Sequence, residues 1–307
     1  MDQHFHHQHP DSSGRLLFSI FVNALITIVQ IAGGILSNSL ALISDAIHNL
    51  SDTLALVLAW IANKVSKRKP DSRRTFGYQR FEILSAFVNA SALTGVSIYL
   101  IYTAIVRLLH PQQITAGLMF YIAMFGLIGN LLSMLFLHRD SKHNLNVKAA
   151  YLHLLGDTLS SVAVVIGAIV IHFTVLTWID PALTLIISMV IIKQAYQILR
   201  ESVDILMQST PAHLDLEEIK SRIEKNTRVC NVHHVHCWQL QDGQVHFEAH
   251  IEASSDMPVS ESGKLAGQIK DQLWEQFAIS HTTLQIEYRC CDDTDLIKQP
   301  KINGMHN

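Results

Sequence analysis

The chain has 307 residues, 49% of them hydrophobic and 16% charged, with a net charge of −3. Soluble globular chains carry about 25% charged residues. The deficit points to a membrane, and the slight negative balance argues against a nucleic-acid partner, which a basic surface would mark. Roughly the first 200 residues hold long apolar runs and the remainder reads as a soluble domain, so the length fits one membrane domain plus one small extramembrane domain.

Residues 1–14 are polar, carry His4, His6, His7 and His9, and cannot bury a core, so they read as a disordered tail. Composition does not decide between weak metal capture and a bland tail. No basic stretch leads into a cleavage site, so a cleaved signal peptide is not expected. Apolar segments on the scale of a bilayer span, about 17–25 residues, are expected at 15–36, 39–63, 80–107, 117–138, 147–172 and 182–206. Asp180-Pro181 is expected to cap and open the sixth. The linker after the second segment carries Lys64, Lys67, Arg68, Lys69, Arg73, Arg74 and Arg80, and that after the fourth carries Arg139, Lys142 and Lys148. The intervening loops are nearly bare of charge, so the positive-inside rule sets both termini in the cytoplasm.

Residues 209–292 change character. Asp215 to Glu218 reads as a capping box opening a helix to about Asn226. Val229–Leu240 and Gln244–Ala253 alternate as strands around an Asp242-Gly243 turn. Leu265, Ile269 and Leu273 recur at helical spacing, and Thr282–Tyr288 reads as a last strand. The order α-β-β-α-β suits a small α+β sandwich. The expected organisation is a tail (1–14), an all-α six-helix transmembrane domain (15–208), a small α+β cytoplasmic domain (209–292) and a polar C-terminal tail (293–307). The four cysteines, Cys230, Cys237, Cys290 and Cys291, all lie in the polar region without a C-x-x-C pair. They read as reduced thiols.

Two patterns carry the chemistry. The second segment holds His48 and Asp52, and the fifth holds His153 and Asp157, each pair four residues apart. At that spacing both side chains share one helix face. Two such helices side by side offer two nitrogens and two oxygens, a tetrahedral set suited to Zn²⁺. An ionised carboxylate at membrane depth is costly unless paired or metal-bound, and transporters bind their substrates near the midplane. The bland alternative is interhelical hydrogen bonding. Histidine titrates near pH 6.5 and metal binding displaces protons from its ligands, so exchange of metal for protons follows as a hypothesis. Asp45, one turn before His48, could orient a ligand or hold water. Asn23, Asn89 and Asn130 read as interhelical hydrogen-bonding groups. The second pattern is the run His233, His234, His236 beside a strand whose polar face carries His246, Glu248, His250 and Glu252, followed by His281 and Glu287. It reads as a second metal site, against the alternative of a polar sheet face at a subunit contact.

The stretches SLALISDAIHNLSDTLAL, RRTFGYQRFEIL, NLNVKAAYLHLLGDTLSS, WIDPALTLIISM and VHHVHCWQL together resemble the cation diffusion facilitator family of metal exporters, in particular its bacterial zinc members. The resemblance spans roughly residues 12–291. It implies a homodimer in the bacterial inner membrane, six transmembrane helices per subunit and a ferredoxin-like cytoplasmic domain. It also implies proton-coupled Zn²⁺ export by alternating access. Its transport-site positions fall on His48, Asp52, His153 and Asp157, with histidine at the first position going with zinc over cadmium. Its cytoplasmic metal positions fall on His233, His250 and Glu287. A further ligand histidine aligns with Ser280, which puts His281 one residue out of place. Arg74 and Tyr78 stand where some members carry histidines in the loop between segments two and three, so a metal site there is not expected. Export of Co²⁺, Ni²⁺, Fe²⁺ or Cd²⁺ on the same fold is the neighbouring reading. An intramembrane metalloenzyme lacks HExxH and a general base, and a pure metal sensor would leave the membrane quartet unexplained. No enzymatic activity is expected.

Overall fold

The computed structural model describes residues 12–66, 68–138, 145–241, 243–289 and 295–297, with the side chains of 12–22, 59, 63, 136–138 and 145–153 outside that description. The histidines of the N-terminal segment, Asp242, Cys290, Cys291, Arg139 and Lys142 therefore lie outside the described residues. The described residues form two compact units. One runs up to Asn63 and continues at Ser85–Leu199, and the other combines Lys64–Leu84 with the residues from Arg200 on.

The first unit is built from six helices: α1 (Ser12–Ser37), α2 (Leu40–Ser66), α3 (Phe81–Leu109), α4 (Ala116–His138), α5 (Leu145–Thr174) and α6 (Ile179–Leu206). Among the described residues, five of them, α2 to α6, are long and apolar enough to cross a membrane, and the apolar stretch of α1 counted on the same basis is Asn23–Ser37. Large apolar side chains such as Ile28, Tyr99, Leu132 and Phe173 point away from the unit, as hydrocarbon-facing residues do in a bundle whose solvent is lipid. Among these five helices, α2 is the most enclosed, with 56% of its apolar window buried against 17% for α3.

One sequence expectation is corrected at the start of α6. The helix already begins at Ile179, so Asp180 lies inside its first turn. Its carboxylate accepts from the backbone N–H groups of Leu40 (2.8 Å) and Ala41 (3.2 Å), and from the Ser39 hydroxyl. It caps α2, the neighbouring helix, supplying an acceptor to first-turn donors that have no intrahelical partner.

In the second unit, α7 (Leu216–Glu224), β1 (Val229–Gln241), β2 (Gln244–Ala253), α8 (Val259–Phe277) and β3 (Ile279–Glu287) follow in the expected order. Asp215 caps α7 through the N–H groups of Glu217 and Glu218. β1 and β2 pair antiparallel, and β3 returns parallel to β2 after the α8 crossover. Ile219 and Ile223 of α7 and Leu265, Ile269 and Leu273 of α8 close a core over Val235, Cys237, Val245, Phe247, Ala249 and Ile251. The opposite face of the sheet is left to the histidines. A register shift between His233 and His236, with His234 at φ 52°, changes the alternation of β1. Strict alternation from Val232 would turn His234 and His236 into the core. The extra residue hands those inward places to Val235 and Cys237, as a bulge does.

Candidate metal sites

α2 owes its position to a polar face that a membrane-buried helix can keep only if it is satisfied. Ser44, Asp45, His48, Asn49, Ser51 and Thr53 are all buried. Partners come from four neighbours. Asn23 of α1 donates to Thr53 (3.0 Å), Asn89 of α3 to Ser51 (3.1 Å), Ser160 of α5 to Asp45 (2.7 Å), and Ser188 of α6 pairs with Ser44 (3.3 Å). Asn130 of α4 donates to Ser161 (3.2 Å). All three asparagines thus make the interhelical bonds expected of them.

On this face His48 Nε2 lies 3.1 Å from Asp157 Oδ1 of α5 and 3.7 Å from Asp52 Oδ2 one turn along α2. One donor atom from each residue falls within 4.8 Å of the others. A tetrahedral ion with ligands at 2.0–2.2 Å has ligand–ligand edges of about 3.4 Å, so the three groups fit around one divalent ion with little rearrangement. Two carboxylates also match its charge. His153 lies one helical turn before Asp157 on α5, with its side chain outside the described residues. Asp52 is the most accessible of the three side chains, at 26% against 10% and 7% for His48 and Asp157.

The second cluster sits on the face of the sheet opposite its core, with the side chains of His233 and Glu287 buried and that of His250 partly so. Glu287 reaches His233 Nε2 with Oε1 at 2.8 Å and His250 Nδ1 with Oε2 at 3.2 Å. His233 and His250 are direct cross-strand partners. Two imidazoles and a carboxylate within 4.8 Å of one another form a donor set suited to Zn²⁺. Gln285, opposite His250 on β3, donates to Glu287 Oε2 at 3.2 Å.

His281 is not brought to this cluster. The parallel register pairs it with His246, six residues up the strand from Glu287, and the two rings lie 4.7 Å apart. Ser280 spends its hydroxyl on the Val245 carbonyl. His246 stacks on Trp238 (5.3 Å) and meets the edge of Phe76 (5.5 Å). Burial, reinforced by the nearby His281 and Arg80, holds its imidazole below the usual range. In the loop before α3, Arg74 donates to the Tyr78 hydroxyl at 2.8 Å and lies over its ring. Gln30, Ser160, Ser161 and Gln285 are not among the residues singled out above, although a glutamine and a serine pair inside apolar helices are themselves signals of a buried network.

Residues 16–207 match the cation efflux transmembrane domain, and residues 211–289 match the cytoplasmic domain of cation efflux proteins. The chain belongs to the cation efflux family. This cation efflux protein is 39% identical over 290 residues to the metal cation efflux system protein CzcD of Cupriavidus metallidurans, covering 94% of this chain and 91% of that one. It is 39% identical over 296 residues to the zinc transporter ZitB of Escherichia coli, covering 96% and 93%. It is 36% identical over 301 residues to the cadmium, cobalt and zinc/H⁺-K⁺ antiporter of Bacillus subtilis, covering 96% of each. It is a multi-pass membrane transporter of a family of transporters, not of enzymes, with an α/β cytoplasmic domain and clusters in both domains able to hold a divalent cation.

Proposed function

We propose that this cation efflux protein exports Zn²⁺ from the cytoplasm in exchange for protons. The observation that carries the reading is the pairing of His48 with Asp157 across α2 and α5 at 3.1 Å, with Asp52 alongside, inside an apolar helical bundle. His153, one turn from Asp157, is the fourth ligand. α1 is the sixth membrane-crossing helix, and the basic residues of the α2–α3 and α4–α5 linkers set both termini in the cytoplasm. The quartet takes up Zn²⁺ from the cytoplasmic side by losing protons. It releases the ion outside when protons return to the imidazoles, whose ordinary pKa lies in the physiological range. Alternating access requires the two openings to be exclusive, and the ion shifts that balance only through a difference in affinity between states. The sheet cluster of His233, His250 and Glu287 takes a second Zn²⁺ at the contact of a homodimer, on a ferredoxin-like domain.

A broader substrate range, with Cd²⁺ and Co²⁺ beside Zn²⁺, is the second reading. The name of the Bacillus subtilis relative favours it. Proteoliposomes with a pH gradient and an interior zinc dye test the proposal. Gradient-dependent flux lost in Asp157→Ala supports it, whereas equal flux in both proteins removes the ion from this cluster. Competition by Cd²⁺ and Co²⁺ in the same assay separates the two readings.

A further inference from the structure

Asp45 is 1% exposed and stands three residues before His48 on α2. Its carboxylate accepts from the Ser160 hydroxyl at 2.7 Å, the Ser161 hydroxyl at 3.2 Å and the Gln30 amide at 2.9 Å. Ser160 and Ser161 lie three and four residues beyond Asp157 on α5. Moving toward the N-terminal end of α2 and toward the C-terminal end of α5 therefore leads from one cross-helix contact to the next. The two helices meet in two tiers about one turn apart, His48 with Asp157 and Asp45 with the serine pair.

The second tier is anchored on both sides. Gln30 accepts from Asn49 at 2.9 Å while donating to Asp45, and Ser161 accepts from Asn130 of α4. A side chain at Gly126 of α4 would collide with the Gln30 amide, so the glycine makes room for this arrangement. Three neutral donors converge on Asp45. An ionised carboxylate accepts from all three at once, whereas an amide would turn an NH₂ toward them.

We propose that Asp45 is a positioning residue for the transported ion. It does not ligate the metal. By tying Ser160 and Ser161 to α2 it sets the separation of His48 from Asp157, and hence the fit of the site to its ion. The proposal rests on the reading of those residues as the transport site. Groups that hydrogen-bond directly to metal ligands are worth on the order of 10–100-fold in affinity; the Asp45 tie acts one turn away through the helices, so the low end of that range is the expectation.

The test is Zn²⁺ flux against Zn²⁺ concentration in proteoliposomes of the full-length protein. The proteins compared are wild type, Asp45→Ala, the double variant Ser160→Ala/Ser161→Ala, the triple combination, and Asp157→Ala. The double variant is expected to raise KM about tenfold while leaving maximal flux within about threefold. Asp45→Ala is expected to do at least as much, and the triple variant to be no worse than Asp45→Ala, because all three act through one tie. A wild-type KM in the serine double variant overturns the proposal, as do losses that add. Flux abolished by Asp45→Ala with the serine variant unchanged also overturns it, and makes Asp45 a direct ligand or proton carrier. If Asp45→Ala does not fold, the serine double variant decides alone. Wild-type flux in Asp157→Ala defeats the transport-site reading itself, and this proposal with it. Loss of flux there, beside unaltered serine variants, defeats this proposal only.

Discussion

Glu287→Gln is the sharpest probe of the sheet cluster. Glu287 carries the only anionic group of the trio, with its side chain 4% exposed and its two oxygens 2.8 and 3.2 Å from His233 and His250. Loss of an outer-shell partner costs up to about 100-fold in metal affinity, so loss of the carboxylate ligand itself should cost at least that. A ligand that binds only the folded form stabilises it by a factor of 1 + [L]/Kd. At free Zn²⁺ about 100 times the wild-type Kd, amides of β2 and β3 that exchange by unfolding of the domain slow about 100-fold, equivalent to about 2.7 kcal/mol. With affinity about 100 times weaker, the same Zn²⁺ slows the variant only about twofold. Hydrogen exchange on the full-length protein in detergent, with and without Zn²⁺, reads both numbers. Wild-type protection by Zn²⁺ in Glu287→Gln would refute the assignment of this carboxylate as a ligand.

Three further outcomes are expected. His48→Asp exchanges an imidazole for a third carboxylate beside Asp52 and Asp157, and should raise Cd²⁺ flux relative to Zn²⁺ flux in proteoliposomes. Unchanged selectivity would remove His48 from the discriminating position. Burial disfavours the charged form of His246 in the folded unit, with His281 and Arg80 adding to the effect, so its folded pKa lies below the unfolded value. The unfolded chain takes up a proton below about pH 6.5 while the folded one resists it, so stability falls as pH drops through that value. His246→Phe should flatten this dependence in urea unfolding followed through Trp238 fluorescence. Cys230 is exposed, whereas Cys237 is buried and its thiol is pushed up to about 11 by that burial. In single-cysteine variants at neutral pH, a maleimide should label Cys230 readily and Cys237 only on unfolding. Equal rates would contradict the inward placement that follows from the shift at His234.

Local spacing was enough to mark His48 with Asp52 and His153 with Asp157, because four residues on a helix return to the same face whatever surrounds it. The apolar run lengths likewise located α2 to α6 within a few residues. The alternation of Val245, Phe247, Ala249 and Ile251 told the core face of β2 from its histidine face. Each of these signals depends only on the geometry of a single element.

Contacts between elements were a different matter. That Asp157 meets His48, that Asp45 is held by serines more than a hundred residues away, and that Asp180 caps α2 rather than α6 all depend on how helices pack side by side. His281 looked like a ligand because it is a histidine on the right strand, yet the parallel register of β3 against β2 sets Gln285 opposite His250 and leaves His281 beside His246. A shift of one residue in a strand reverses every side chain on it, and the irregularity at His234 is a shift of that kind. The sequence by itself determined the helices, the strands and the donor types available to a metal. Only the tertiary structure decided which donors converge, because ligand distances are fixed across elements that share no periodicity.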